Sequence, residues 1–231
     1  NIKRKIRIAQ RYYSDQKTGL NKEFAQPSQI VLSENKALIT EIEQPIYYNP
    51  LSGNKVSNIQ LAINEIQRVI IQPNEVFSFW HIVGLPTKKK GYKTGRNIIG
   101  DRLQEDIGGG LCQVSGMIYH LALVCGMEII ERHNHTLDLY SEDKRYTPLG
   151  ADATVVYGYK DIRFRNISKT AVHMRFKVTK SNFVGSFYAT EELPVYAIKF
   201  VREEFEKART IKTFRCVNNT DVFINQSRYL L

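Results

Sequence analysis

The chain has 231 residues, 42% hydrophobic and 24% charged, with 33 Lys and Arg against 23 Asp and Glu for a net charge of +10. That apolar content excludes disorder throughout, and a chain of this length buries a core without metal or disulfide staples. No apolar run reaches the roughly 20 residues of a transmembrane helix, and three cysteines are too few and too odd for a disulfide framework.

A short basic helix is predicted over residues 1–13, followed by polar loop over 14–29. Strands are predicted at Ile30–Leu32 and Ala37–Ile42, then a turn at residues 49–53. A helix over 57–72 follows from Ile59, Ala62, Ile63, Ile66, Val69 and Ile70 at helical spacing, with Ser57 and Gln60 as a capping box and Pro73 as its stop. Val76–Trp80 reads as a strand, with Trp80 a packing anchor. Residues 84–110, rich in Gly and Lys, read as a long loop of functional type. A second helix over 112–126 carries an apolar stripe of Val114, Ile118, Leu121 and Cys125, with Leu111 just ahead of it. Met127–Glu131 is a buried strand. Beyond residue 150 the alternation has period two, and strands are predicted near 162–165, 172–178, 183–189, 195–201, 211–217 and 221–225. The fold class is therefore α+β, a Cys-bearing helix packed on an antiparallel β-sheet with a β-rich C-terminal third.

The charge is concentrated in two places. Residues 1–22 hold seven Lys or Arg and one acid, and residues 88–96 hold five more and no acid. Such patches attract polyanions such as nucleic acid, anionic lipid or anionic wall polymers, or are simply solvated. No recognition-helix or zinc-finger pattern supports nucleic acid. The basic start Asn1–Lys5 is not followed by a long apolar segment, so no signal peptide is visible.

The sharpest chemical feature is Gly108-Gly109-Gly110-Leu111-Cys112-Gln113-Val114-Ser115. The glycines let the backbone approach a ligand, and they end where a helix begins. Cys112 then sits near a helix N-terminus, where free N–H groups and the dipole stabilise a thiolate and offer an oxyanion hole. We group Gly108, Gly109, Gly110, Gln113 and Arg132 as oxyanion and substrate-loop candidates. A thiolate nucleophile needs a base and the base needs an orienting acceptor. His133 and His135 share a face if the strand continues past Glu131, and Asp152 is the candidate orienter. The same groups, His-x-His with Cys112 or Asp152, give a rival zinc reading, although CxxC and HExxH are absent. Cys125 and Cys216 read as structural. Cys112 and Cys125 lie about 20 Å apart along one helix, too far for a disulfide. His173 falls on a strand's polar face, His120 lies off the apolar stripe, and His81 lies near the loop.

The blocks Pro73–Phe79, Gly91-Tyr92, Gly108–Ser115, Glu131–His135, Pro148–Val155 and Tyr157-Gly158 resemble the VanW family in order and spacing. The resemblance covers residues 57–190, which implies a basic N-terminal region over 1–56, a core domain over 57–190 and a β-rich extension over 191–231. Some members of the family are L,D-transpeptidases that make 3-3 cross-links in peptidoglycan. Carried onto this chain, the resemblance implies Cys112 as nucleophile, His135 or His133 as base and Asp152 as its partner, with no metal and no cofactor. It implies peptidoglycan stem peptides as partners, anionic wall polymers as further ones, and an extracytoplasmic or cell-wall site of action, with the cytoplasm as the alternative because no signal peptide is visible. Many members have Ser and Thr where this chain has Gly116 and Met117, which removes any argument for a hydroxyl cluster there. A thiol hydrolase using the same residues and a non-catalytic wall-binding protein are the competing readings.

Overall fold

The computed structural model describes residues 2–27, 37–47, 52–99, 102–138 and 141–231. Among these residues the helices are α1 (Ile2–Thr18), α2 (Ser52–Ile66), the single-turn α3 (Phe79–Val83) and α4 (Leu111–Val124). The strands are β1 (Ala37–Pro45), β2 (Ile70–Ile71), β3 (Val76–Ser78), β4 (Thr94–Ile99), β5 (Arg102–Ile107), β6 (Glu128–Glu131), β7 (Arg163–Arg165), β8 (Val172–Val178), β9 (Asn182–Ala189), β10 (Ile198–Phe205), β11 (Ala208–Val217) and β12 (Thr220–Leu230). They form an α+β fold whose strand pairs are all antiparallel. No helix among the described residues is long and apolar enough to cross a membrane.

The core is built around α4. Leu111, Val114, Met117, Ile118, Tyr119, Leu121 and Leu123 are all buried and cover about two thirds of the circumference, so this helix must be enclosed on most sides. One side meets the sheet of order β1-β9-β8-β2. Contact there is so close that a Cβ on Gly185 of β9 would lie 2.6 Å from Met117 Cγ, and only glycine fits. Beside α4 lies α2, contributing Ile59, Ala62, Ile63 and Ile66 to the same core. A second sheet, β3-β7-β6, stacks Phe77 on Phe164 at 5.2 Å. The C-terminal sheet β10-β11-β12 extends the chain's own hairpins. Its last strand also meets the segment after β6: Leu230 N–H donates to Thr136 O at 2.7 Å, and Asp138 N–H donates to Leu230 O at 3.0 Å.

Several expectations are corrected. The helix expected over 57–72 runs Ser52–Ile66, so Ser57 lies inside it and caps nothing. Ile70 leaves the helical stripe and, with Ile71, pairs with His173 and Val172, because β-branched residues next to a free sheet edge gain more by pairing than by continuing the helix. The basic helix continues to Thr18 instead of ending at 13. Phe79 and Trp80 turn into α3, with Ser78 as its N-cap accepting from His81 N. The 84–110 loop contains the β4–β5 hairpin, whose Gly- and Lys-rich composition hid its pairing. His173 is buried, its Nε2 bonded to Gln67 O at 2.8 Å, because the end of α2 covers the strand face expected to be solvated. The expected strand at Ile30–Leu32 lies outside the described residues, as does part of the turn at 49–53.

Candidate active site

Gly110 is the N-cap of α4, and its φ of 100° belongs to the left-handed region that glycine adopts without strain. A Cβ there would also meet Lys55 Cγ at 2.7 Å. The loop is pinned by buried Asn58 of α2, whose Nδ2 donates to Gly109 O at 2.9 Å and Lys93 O at 2.8 Å, while its Oδ1 accepts from Lys93 N at 2.7 Å. One side chain thus fixes the glycine loop and the chain entering β4. Lys55 packs against this loop with its amine lowered to about 8 by burial.

Cys112 is the second residue of α4, where a backbone N–H has no acceptor within the helix. The residue is half-buried; its Sγ lies 3.6 Å from Thr154 Oγ1 and takes hydrogen bonds from the His135 ring and the Val155 N–H. Burial pushes the thiol pKa up, but the His135 hydrogen bond and charge, with the Val155 and Thr154 donors, outweigh it and hold the pKa below the ordinary value.

His135 is oriented by Asp152. Its backbone N–H donates to Asp152 Oδ2 at 2.8 Å, and Nδ1 lies 2.7 Å from the same oxygen, which leaves Nε2 for the thiol. Burial opposes the imidazolium, yet Asp152 and Cys112 together raise the His135 pKa to about 10. Both shifts run in the direction of a thiolate–imidazolium pair. Asp152 is buried in turn, and the Arg132 guanidinium and His135 hold its carboxyl well below the usual range. Arg132 grips it through Nη2 to Oδ1 at 2.9 Å and Nε to its backbone O at 2.8 Å, and Tyr229 OH donates to Oδ1 at 2.5 Å. Ser227 receives the other Arg132 nitrogen, and the guanidinium lies 4.9 Å from the Tyr119 ring centroid. Cys112, His135 and Asp152 therefore stand in line, with β12 closing the back.

The two histidines do not share a face. The strand ends at Glu131, and the chain turns so that Arg132 points inward. His133 bonds Glu131 Oε1 at 2.9 Å through Nε2 and accepts from Thr154 N at its backbone O, 2.7 Å away. It belongs to a separate cluster, in which Arg11 of α1 grips Glu131 with both terminal nitrogens at 2.9 and 2.7 Å. Gln113 is buried, its Nε2 directed to Pro45 O at 3.2 Å, so it does not face the thiol. Arg132 is likewise an interior anchor instead of a substrate-loop residue, because it neutralises buried Asp152. Among the described residues no three His, Cys, Asp or Glu side chains are grouped to hold a metal, and all three cysteines are free. His81 packs on Phe24 at 4.9 Å, and His120 is lowered to about 4 by burial.

Sequence reasoning missed Asn58, Lys55, Thr154 and Tyr229. Thr154 had a signal, since it stands two residues from Asp152 in an extended segment and so on the same side. Tyr229 had none, being 77 residues from its partner.

A model of VanW-like proteins matches residues 54–188, more than half the chain. The chain belongs to the VanW family. It is 34% identical over 145 residues to the uncharacterized protein YoaR of Bacillus subtilis, covering 63% of this chain and 46% of that protein. It is 29% identical over 156 residues to the vancomycin B-type resistance protein VanW of Enterococcus faecalis, covering 65% of this chain and 57% of that one. The chain thus spans about half the length of these curated relatives. No solved structure matches it significantly. Cys112, His135 and Asp152 all fall inside the VanW span, whereas Ser227 and Tyr229, which close the site from behind, fall outside it.

Proposed function

We propose that this VanW-family chain is a cysteine-dependent L,D-transpeptidase of peptidoglycan. The alignment of Cys112, His135 and Asp152 at the start of α4 carries the reading, because it supplies nucleophile, base and orienter in one hydrogen-bonded row. The Cys112 thiolate adds to the carbonyl carbon at the L-centre of diaminopimelate in a donor tetrapeptide stem. The developing oxyanion is met by the Cys112 N–H at the helix start. His135 transfers its Nε2 proton to the departing D-Ala nitrogen as the C–N bond breaks, leaving a thioester and free D-Ala. The side-chain amine of a neighbouring stem then attacks the thioester. His135 takes the amine proton, and the thiolate leaves as the 3-3 amide forms. Thr154 and the Val155 N–H position the sulfur throughout.

The chemistry relates to the name of the Enterococcus relative. Glycopeptides bind D-Ala-D-Ala ends, and a cross-link made from tetrapeptides does not use them. Stem peptides lie outside the cytoplasmic membrane, so the site acts there.

Transfer is tested with a tetrapeptide stem and an isotopically labelled amine acceptor. The expected products are free D-Ala and a stem carrying the acceptor, both lost in Cys112→Ala. D-Ala release without acceptor incorporation would make the enzyme a hydrolase. Absence of both, with folded protein and amidated as well as free diaminopimelate stems, would overturn the enzymatic reading in favour of a binding protein.

A further inference from the structure

Helix α1 is amphipathic with its polar side facing inward. Ile8, Arg11 and Asp15, spaced three and four residues apart, are the part-buried positions that face the body. Arg11 grips Glu131, Asp15 accepts both terminal nitrogens of Arg163 at 2.7 and 2.8 Å, and Ile8 sits over Gly158. The opposite stripe is Ile2, Ile6, Ala9 and Tyr13. Ile2, Ile6 and Tyr13 are 78%, 52% and 70% exposed. Lys3, Lys5 and Lys17 flank it, and no carboxylate pairs with them among the described residues. Ion pairs thus hold the helix to the body and keep its apolar stripe turned to solvent.

We propose that the outer face of α1 docks on an anionic lipid bilayer, with Ile2, Ile6 and Tyr13 in the headgroup–acyl boundary and the lysines on acidic headgroups. The pairing of apolar stripe and cationic flanks selects this occupant. A soluble polyanion would neutralise the lysines but leave the isoleucines in water. A second copy of the chain would cover the isoleucines but bring two unpaired cationic helices together. The inference is independent of the reaction at Cys112, since the outer stripe touches none of those residues.

The test is co-sedimentation of the protein with vesicles of phosphatidylcholine alone or with 30% phosphatidylglycerol. Binding is expected only to the acidic vesicles, weakening as salt rises. Ile6→Ser with Tyr13→Ser should lower the partition at least tenfold at unchanged net charge, and Lys3→Gln with Lys5→Gln should lower it comparably. These variants leave Arg11 and Asp15 in place, and an unchanged rate of Cys112 alkylation verifies the fold. Failure to bind acidic vesicles overturns the proposal. So does binding insensitive to the Ile6 and Tyr13 changes, which marks a purely electrostatic polyanion site, or a dimer in solution that those changes dissociate.

Discussion

Replacing His135 by Ala isolates what the imidazolium does for Cys112. The variant should fold, because Asp152 keeps Arg132 and Tyr229 as partners and no buried charge is orphaned. A rise in the His135 pKa from 6.5 to about 10 corresponds to about 5 kcal/mol favouring the charged ring, at about 1.36 kcal/mol per pKa unit. Asp152 and the thiolate share that preference, so removing the ring removes most of the electrostatic support of the thiolate. Thr154 and Val155 remain as donors against a burial that pushes the thiol up. An ordinary thiol with a pKa of about 8.5 is only about 3% ionised at pH 7, so the loss of reactive form has a scale of up to about 30-fold. The more basic thiolate is intrinsically more nucleophilic, which returns part of this, so iodoacetamide labelling at pH 7 should fall by up to about tenfold. The profile should also move to higher pH in the variant, because the ring that holds the parent thiol below its ordinary value is gone. Equal rates and superimposable profiles would refute the ion pair.

Tyr229→Phe removes one donor to Asp152 while Arg132 and His135 still hold it. Stability should fall by about 1–2 kcal/mol, or about 3–6 °C in Tm, with Cys112 labelling within about twofold of the parent; calorimetry and alkylation read the two effects. Glu131 is held at about 2 by His133, Arg11 and Arg163 against the opposing effect of its own burial. A depressed carboxylate contributes stability above its unfolded value near 4.5 and loses it as pH falls through about 2, here about 3 kcal/mol. Asp161 beside it is pushed up by burial and opposes part of that, while Asp15 remains paired with Arg163. Thermal melts between pH 6 and 3 should therefore fall, and Arg11→Ala should flatten the dependence.

What was legible in the sequence is what local pattern encodes. Helix α4 follows from its apolar spacing, and β8 and β9 from their alternation. Cys112 at a helix start follows from three glycines meeting an apolar stripe, and the structure places His135 and Asp152 beside it. Tertiary contacts decide the rest. Ser57 with Gln60 has the chemistry of a cap, but α2 had already begun at Ser52. The alternation that put His133 and His135 on one face assumed a strand, and the strand stops at Glu131 because Arg132 must turn in to neutralise Asp152. Strand β12 runs on to Leu230 through Asn225, Gln226 and Arg228, polar residues that mask an alternation completed by buried Ser227 and Tyr229. Its role behind Asp152 depends on a contact between distant parts of the chain, which no local window records.

As the nucleophile, Cys112 becomes acylated by a tetrapeptide stem. Intact-mass analysis after brief incubation with stem alone, quenched in acid and followed by peptide mapping, tests it directly. The expected product is an adduct equal to the stem minus D-Ala, on the peptide containing Cys112 and on neither Cys125 nor Cys216, discharged by hydroxylamine and absent from Cys112→Ala. An unmodified Cys112 alongside released D-Ala, or an adduct that persists in Cys112→Ala, would contradict it.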